Sequence, residues 1–264
     1  MKAILCYYSG SGNTKLACEY MAKNIKNLRI DLFNIVKAGI PDLDKYEVAG
    51  FATFANFLAP PYLMQDFLEK LPRQDNKPAF VFNTYGLLSG KTLKILDKWA
   101  TAKGFKVIAG HSLHTPESYP PMIISGKGNE QAPNEKEMAG FVNFISELER
   151  LFHRIKEGSR VERKKTSISI LSILLPVFPP AKARRNMGEK YVEEALCSKC
   201  GICERVCPYG AIKLAPKPIF DMNKCYGCWA CYNHCPSRAI YTKKYRGAGH
   251  YPEPIEQLKE KLKT

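Results

Sequence analysis

The sequence predicts an α/β doubly wound parallel sheet in the front half, followed by a small α+β unit rich in cysteine. Three observations carry this reading. Apolar runs and helical patterns alternate through residues 1 to 150, as a parallel sheet with helices on both faces requires. Eight of the ten cysteines fall between residues 197 and 235. The two segments that hold them, YVEEALCSKCGICERVCPYGAIKL and IFDMNKCYGCWACYNHCPSRAIYT, repeat one another in outline.

Residues 2 to 8 are a short apolar run of β-formers, and further runs at 28–35, 47–54, 79–84 and 106–112 read as the remaining strands. Helical patterns occupy 14–26, 62–71, 90–103 and 134–156. In the first of them Leu16, Ala17, Tyr20, Met21 and Ile25 fall on one side at near-helical spacing. In this class ligands bind beyond the C-terminal ends of the strands, at the point where strand order reverses. The turn SGSGNT, residues 9 to 14, stands at the end of the first strand.

That turn is not a nucleotide-triphosphate loop. Such a loop needs Gly-Lys-Ser/Thr at its close, whereas here Thr14 precedes Lys15 and Leu16 follows it. A cysteine-nucleophile phosphate loop needs an arginine beyond Cys6, and residues 7 to 15 contain none. Cys6 in the strand and Cys18 in the helix read as buried, inert thiols. What remains is a glycine- and hydroxyl-rich turn opening a helix. Its backbone N–H groups and the positive end of the helix dipole suit a phosphate, as well as an ordinary capped helix start.

The chain has 264 residues, 45% of them hydrophobic, and a net charge of +15. This suits one or two globular domains. The longest apolar candidate, ISILSILLPVF at 168–178, is about half of the ~20 residues a membrane helix needs. The start, MKAILCYYSG, carries no long apolar core or cleavage site, and a cytoplasmic location is expected. Net charge is +4 over residues 1–145, +6 over 146–190 and +5 over 191–264. Such a field steers acidic partners. The stretch GSRVERKKTS has little aromatic interleaving, which counts against single-stranded nucleic acid.

The cysteines cluster as metal ligands do, not as a disulfide framework. Each run reads C-x2-C-x2-C-x3-C-P: Cys197, Cys200, Cys203, Cys207 with Pro208, and Cys225, Cys228, Cys231, Cys235 with Pro236. This is the run of the bacterial two-cluster iron–sulfur proteins, in which the fourth cysteine serves the other cluster. One [4Fe–4S] cluster is therefore assigned to Cys197, Cys200, Cys203 and Cys235, and the other to Cys225, Cys228, Cys231 and Cys207. Zinc prefers two separated C-x2-C knuckles at one tetrahedral centre, which these triple steps do not suit. Gly201 and Gly227 are expected to relieve crowding near the sulfides. Tyr209, Tyr226, Trp229 and Tyr232 are expected to shield the clusters.

The turn SGSGNT resembles the phosphate loop of flavodoxins, S/T-x-T-G-x-T, with Ser11 where threonine is usual. NTYGLLSG at 83–90 and FATFANFLAP at 51–60 resemble the two flavin-flanking loops of that family, and HTPESYP at 114–120 resembles its fourth loop. With the cysteine runs, the whole chain resembles the flavodoxin–ferredoxin fusion proteins of anaerobic microbes, apart from about 155–190. The resemblance implies FMN, with its phosphate held by Ser9, Gly10, Ser11, Gly12, Asn13 and Thr14. It places Asn56, Phe57, Thr84, Tyr85 and Gly86 near the ring. It also implies a flavodoxin-like domain over 1–156, a basic and apolar linker over 157–189, a two-cluster ferredoxin domain over 190–246 and a C-terminal tail or helix over 247–264. The expected function is electron transfer between the two clusters and FMN, as an oxidoreductase joining one-electron carriers such as ferredoxin to a flavin-dependent acceptor or substrate. The alternative is a redox-sensing or nucleic-acid-binding module whose front domain has lost its flavin. An acidic ferredoxin-type carrier is the expected partner and a homodimer is considered; nucleic acid is the less favoured partner. His111 and His114 near the ligand end, and Tyr119 beside them, complete the residues singled out.

Overall fold

The computed structural model describes residues 1–26, 28–37, 39–168, 172 and 174–263. Five strands form one parallel sheet: β1 (Lys2–Tyr7), β2 (Arg29–Asn34), β3 (Val48–Phe54), β4 (Lys77–Tyr85) and β5 (Phe105–His114). Their spatial order is β2-β1-β3-β4-β5, the flavodoxin-like order, which reverses direction between β1 and β3. All four pairings are parallel, with Leu5 opposite both Leu32 and Gly50.

Alternation along the strands assigns each side chain to one of two cores. Ala3, Leu5 and Tyr7 face one side with Phe80 and Phe82. There they meet helices α1 (Asn13–Asn24) and α5 (Glu135–Lys156) through Met21, Phe141, Phe144 and Leu148. Ile4, Cys6 and Tyr8 face the other side, with Phe67 of α2 (Tyr62–Lys70) and Leu96 of α3 (Thr92–Ala102). Cys6 and Cys18 are fully buried, and burial pushes both thiols well above the ordinary range.

α5 starts at a capping box: Glu137 N–H donates to Asn134 Oδ1 at 2.9 Å, and Asn134 N–H donates to Glu137 Oε2 at 2.8 Å. A short helix, α4 (Pro120–Ile124), follows β5.

His111 lies against the rings of Phe82, Phe141 and Phe144. Burial there lowers its pKa from 6.5 to about 4, against a smaller opposing pull from Glu147. The folded chain therefore holds His111 neutral, while the unfolded chain takes up a proton near pH 6.5. The contribution is present in full above that pH and is lost as pH falls through about 4. It amounts to at most about 3 kcal/mol. His111→Phe, which keeps a ring in the aromatic cage, is expected to flatten the loss of stability between pH 6.5 and 4. Denaturant unfolding followed by circular dichroism reads this, and an unchanged slope refutes it.

After α5 the chain does not run free. Arg163 Nη2 donates to the buried Asp97 carboxylate at 3.0 Å, and the Thr166 hydroxyl and N–H both donate to its other oxygen. Lys164 Nζ pairs with Glu147 at 2.6 Å. Ile168 packs on the second core. The basic stretch thus docks on α3 and α5. The middle of the apolar arm, residues 169–171 and 173, lies outside the described residues.

The cysteine-rich unit is two short ribbons and two one-turn helices. Helix α6 (Pro180–Met187) leads to β6 (Lys190–Val192), which pairs antiparallel with β9 (Ile240–Thr242). Between them lie α7 (Ile202–Arg205), the β7–β8 ribbon (Ile212–Leu214 and Pro218–Phe220) and α8 (Ala230–Asn233). The last helix, α9 (Glu256–Lys261), returns to the front sheet, where Leu258 and Leu262 are fully buried in the core of α1 and α5.

Candidate functional site

The two cysteine loops have the same backbone. Each contains two left-handed residues, Lys199 and Gly201 in the first, Gly227 and Trp229 in the second. Glycine fills opposite members of the two pairs. A side chain at Gly227 would press on the backbone of Ala183 in α6 at 3.1 Å, and one at Gly201 on the Arg205 guanidinium at 3.0 Å. On the protein side, these glycines therefore make room for α6 and Arg205. A third core of Met187, Ile212, Trp229, Tyr232 and Ile240 packs with Cys203, Cys225 and Cys231.

Cys235 reaches across to the first run. Cys197, Cys200, Cys203 and Cys235 line one small cavity together with Leu214 and Pro218. In the second group, burial pushes the Cys231 thiol up, and Lys190, Cys225 and Cys207 act on it electrostatically. The fourth cysteines carry matching N–H···S bonds: Ala211 N–H donates to Cys207 Sγ and Ala239 N–H to Cys235 Sγ, each at 3.3 Å. The Ile202 N–H favours the thiolate of the exposed Cys200. Lys190 Nζ lies 3.2 Å from Cys225 Sγ. Thiolates joined across the two runs, with N–H groups directed at their sulfurs, fit cubane clusters.

The second half of the site is the turn at the end of β1. Helix α1 begins at Gly12 with no side-chain cap. Among the described residues no acceptor pairs with the backbone N–H groups of Gly10, Ser11, Asn13 and Thr14. Those four residues line a cavity together with Thr84, Tyr85 and Gly86. Thr14 and Thr84 share a hydroxyl–hydroxyl bond of 2.8 Å. Free donors at a helix start, with no cation inside the turn, fit a phosphate dianion.

The remaining residues singled out stand elsewhere. Ser9 braces the turn by accepting from Gly12 N–H at 3.1 Å, and Pro254 of the C-terminal segment covers Gly12. Asn56 pairs with Ala59 and reaches Tyr226. Phe57 packs edge-on against Tyr119 at 5.6 Å, and Tyr119 against Trp229 at 6.0 Å. The structure does not bring Ser9, Gly12, Asn56 or Phe57 to the cavity wall. Tyr85 is stacked on His114 at 5.0 Å, and Glu137 holds that imidazole at 2.9 Å. Glu117 stands over Gly86, where its carboxylate accepts from the N–H groups of Leu87, Ser118 and Tyr119.

Several residues of this site carry no local signal in the sequence. The Tyr251 hydroxyl donates to Asn13 Oδ1 at 2.9 Å, while Asn13 Nδ2 donates to Pro116 O at 2.9 Å. Asn233 Nδ2 donates to Ser118 O at 3.0 Å, and its Oδ1 accepts from Tyr251 N–H at 3.3 Å. This polar chain ties the turn, the 115–118 loop and the second cysteine loop together. Cys228 and Asn233 line the same cavity as the turn. Beside them Tyr209 and Tyr226 stack at 4.8 Å, and Tyr8 at the end of β1 lies close to Cys228.

Residues 196–239 match the family model of the 4Fe-4S dicluster domain. The chain is 30% identical over 152 residues to the uncharacterized protein MJ0298 of Methanocaldococcus jannaschii, an alignment covering 56% of this chain and 98% of that one. It is 39% identical over 44 residues to the polyferredoxin protein MvhB of Methanothermus fervidus, covering 17% of this chain and 11% of that protein. Among solved structures, a flavodoxin from the domain Archaea aligns over 58% of this chain and 99% of its own, with 18% identity and a TM-score of 0.44. No helix among the described residues is long and apolar enough to cross a membrane.

Proposed function

Because this chain belongs to the family of MJ0298 and joins a flavodoxin-like sheet to a 4Fe-4S dicluster domain, we propose that it passes electrons between two [4Fe–4S] clusters and an FMN. Cys197, Cys200, Cys203 and Cys235 hold one cluster, and Cys225, Cys228, Cys231 and Cys207 the other. The backbone of Gly10, Ser11, Asn13 and Thr14 holds the FMN phosphate, with Thr84, Tyr85 and Gly86 along the same cavity. The clusters supply one-electron steps, and the flavin accepts one electron or two.

The observation that carries this reading is the shared wall: Cys228, a ligand in the cysteine runs, lines the same cavity as the anion-binding turn. The protein residues fix that juxtaposition. Asn13, Tyr251 and Asn233 lock the loops together, and Tyr8, Tyr209 and Tyr226 exclude water beside Cys228. The opposite end is open. Cys200 is exposed, with Lys199 and Arg205 exposed around its loop, while Lys213 and Lys217 nearby pair with Glu204 and Glu194. An acidic carrier protein meets complementary charge there. Arg163 and Lys164 in the basic linker are engaged with Asp97 and Glu147, which leaves less free charge there for nucleic acid.

The test is cofactor content and electron flow in protein purified without oxygen. About eight iron atoms and one FMN per chain are expected. Electrons delivered by a reduced acidic ferredoxin are expected to bleach both the iron–sulfur and the flavin absorbance. A flavin that stays oxidised while the iron–sulfur absorbance bleaches refutes the reading.

A further inference from the structure

The two cysteine runs are related by an internal repeat, and one position breaks it with a full charge. Lys190 and Pro218 each precede the first cysteine of their run by seven residues. Leu214 and Thr242 each follow the fourth cysteine of their run by seven residues. Register pairs Lys190 with Thr242 and Pro218 with Leu214. The two ribbons are therefore equivalent, but their chemistry is not. Leu214 and Pro218 line the cavity of Cys197, Cys200, Cys203 and Cys235. At the matching place in the other group, Lys190 Nζ reaches Cys225 Sγ at 3.2 Å, beneath the Phe220 ring. Among the described residues no carboxylate forms an ion pair with Lys190, although many surface lysines have one.

Taking the cluster assignments of the proposed function as given, we propose that Lys190 is a positioning residue that makes the cluster of Cys225, Cys228, Cys231 and Cys207 the easier of the two to reduce. Reduction adds one negative charge to a cluster. An ammonium in contact with a ligand sulfur stabilises that charge, and net charge and hydrogen bonding at the sulfurs set cluster potentials. Lys199, Arg205, Lys213 and Lys217 lie near the first group, but they are exposed. Water and salt screen them, whereas a contact charge turned inward is screened far less. Exposure of Cys200 favours reduction of the first cluster, and Lys190 opposes that bias at the second. The consequence is directional. An electron given up by the surface cluster is taken by the one whose Cys228 faces the turn; one centre loses one electron, the other gains it, and no bond or proton changes.

The test is a redox titration of the whole anaerobic protein followed by electron paramagnetic resonance, after an iron count. Iron well below about eight per chain refutes the cluster assignment and takes this inference with it. With iron complete, wild type is expected to show two one-electron waves at least tenfold apart in reduction equilibrium, about 59 mV. Lys190→Met is expected to move the upper wave down by at least tenfold and leave the lower wave in place. Lys190→Arg is expected to keep the upper wave. Where Lys190→Met loses iron, Lys190→Gln is read instead, with the same expectation. Two clusters that titrate together in wild type overturn the inference without any variant. So does an unmoved upper wave, or a shift confined to the lower one, in the neutral variant.

Discussion

Replacing Cys235 with alanine is expected to remove the cluster whose other ligands lie in the first run. Iron per chain should fall by half, from about eight to about four. The decisive comparison uses pairs. Cys203 and Cys235 border one cavity, so Cys203→Ala with Cys235→Ala should cost no more iron than either change alone. Cys207 is assigned with Cys225, Cys228 and Cys231 by its place in the runs, so Cys203→Ala with Cys207→Ala should lose both clusters. If each run instead held its own cluster, the two double variants would exchange results. This is the logic of non-additivity between groups that act as a unit. Iron analysis and the paramagnetic resonance of the reduced protein give the counts.

The second large effect is expected at the turn. Ser11→Glu should abolish retention of FMN while leaving iron unchanged. No lysine or arginine lies within residues 9–14. Lys15, just beyond, is exposed and pairs with Glu19 at 3.3 Å. An anion held there is balanced only by backbone donors and the helix dipole, so a carboxylate placed among them repels it without compensation. Like charges brought together cost several kcal/mol, hence roughly a hundredfold or more in affinity. Ser11→Ala removes a single hydroxyl and should cost about 1 kcal/mol, less than tenfold. Riboflavin, which lacks the phosphate, should bind wild type and Ser11→Glu alike. Unchanged FMN content in Ser11→Glu would remove the turn from the binding site.

The sheet is legible in the sequence through its periodicity. Apolar runs at 2–8, 47–54, 79–84 and 106–112 mark β1, β3, β4 and β5, because a strand buried between two helical layers needs apolar side chains on both faces. The helix patterns were equally clear where a long apolar stripe faces the sheet, as in α5. The short helices α4 and α6 were not, since one or two turns carry too few residues to show a period. The cysteine spacing was legible because a cubane requires thiolates at fixed steps.

The flavin-ring positions show where local resemblance stops. Tyr85 does line the cavity, but Phe57 turns to Tyr119, because the second cysteine loop brings Trp229 up beneath that ring. Glu117 over Gly86 is likewise set by three N–H groups from two loops. No window of sequence contains both sides of such contacts.

By itself, the sequence determined which residues can do chemistry: eight thiols at cluster spacing, a cation-free turn at a strand end, and the alternation that builds a parallel sheet. These are properties of residue type and short-range spacing, governed by backbone periodicity and ligand geometry. Only the tertiary structure decided that Cys228 faces the turn, that Tyr251 and Pro254 close over it, and that Lys190 meets Cys225 while its repeat-mate is a proline. Those outcomes depend on which surfaces bury one another. The contact between Asn13 and Tyr251 spans 238 residues, and it forms only because α9 buries Leu258 and Leu262 against the first helix and its sheet.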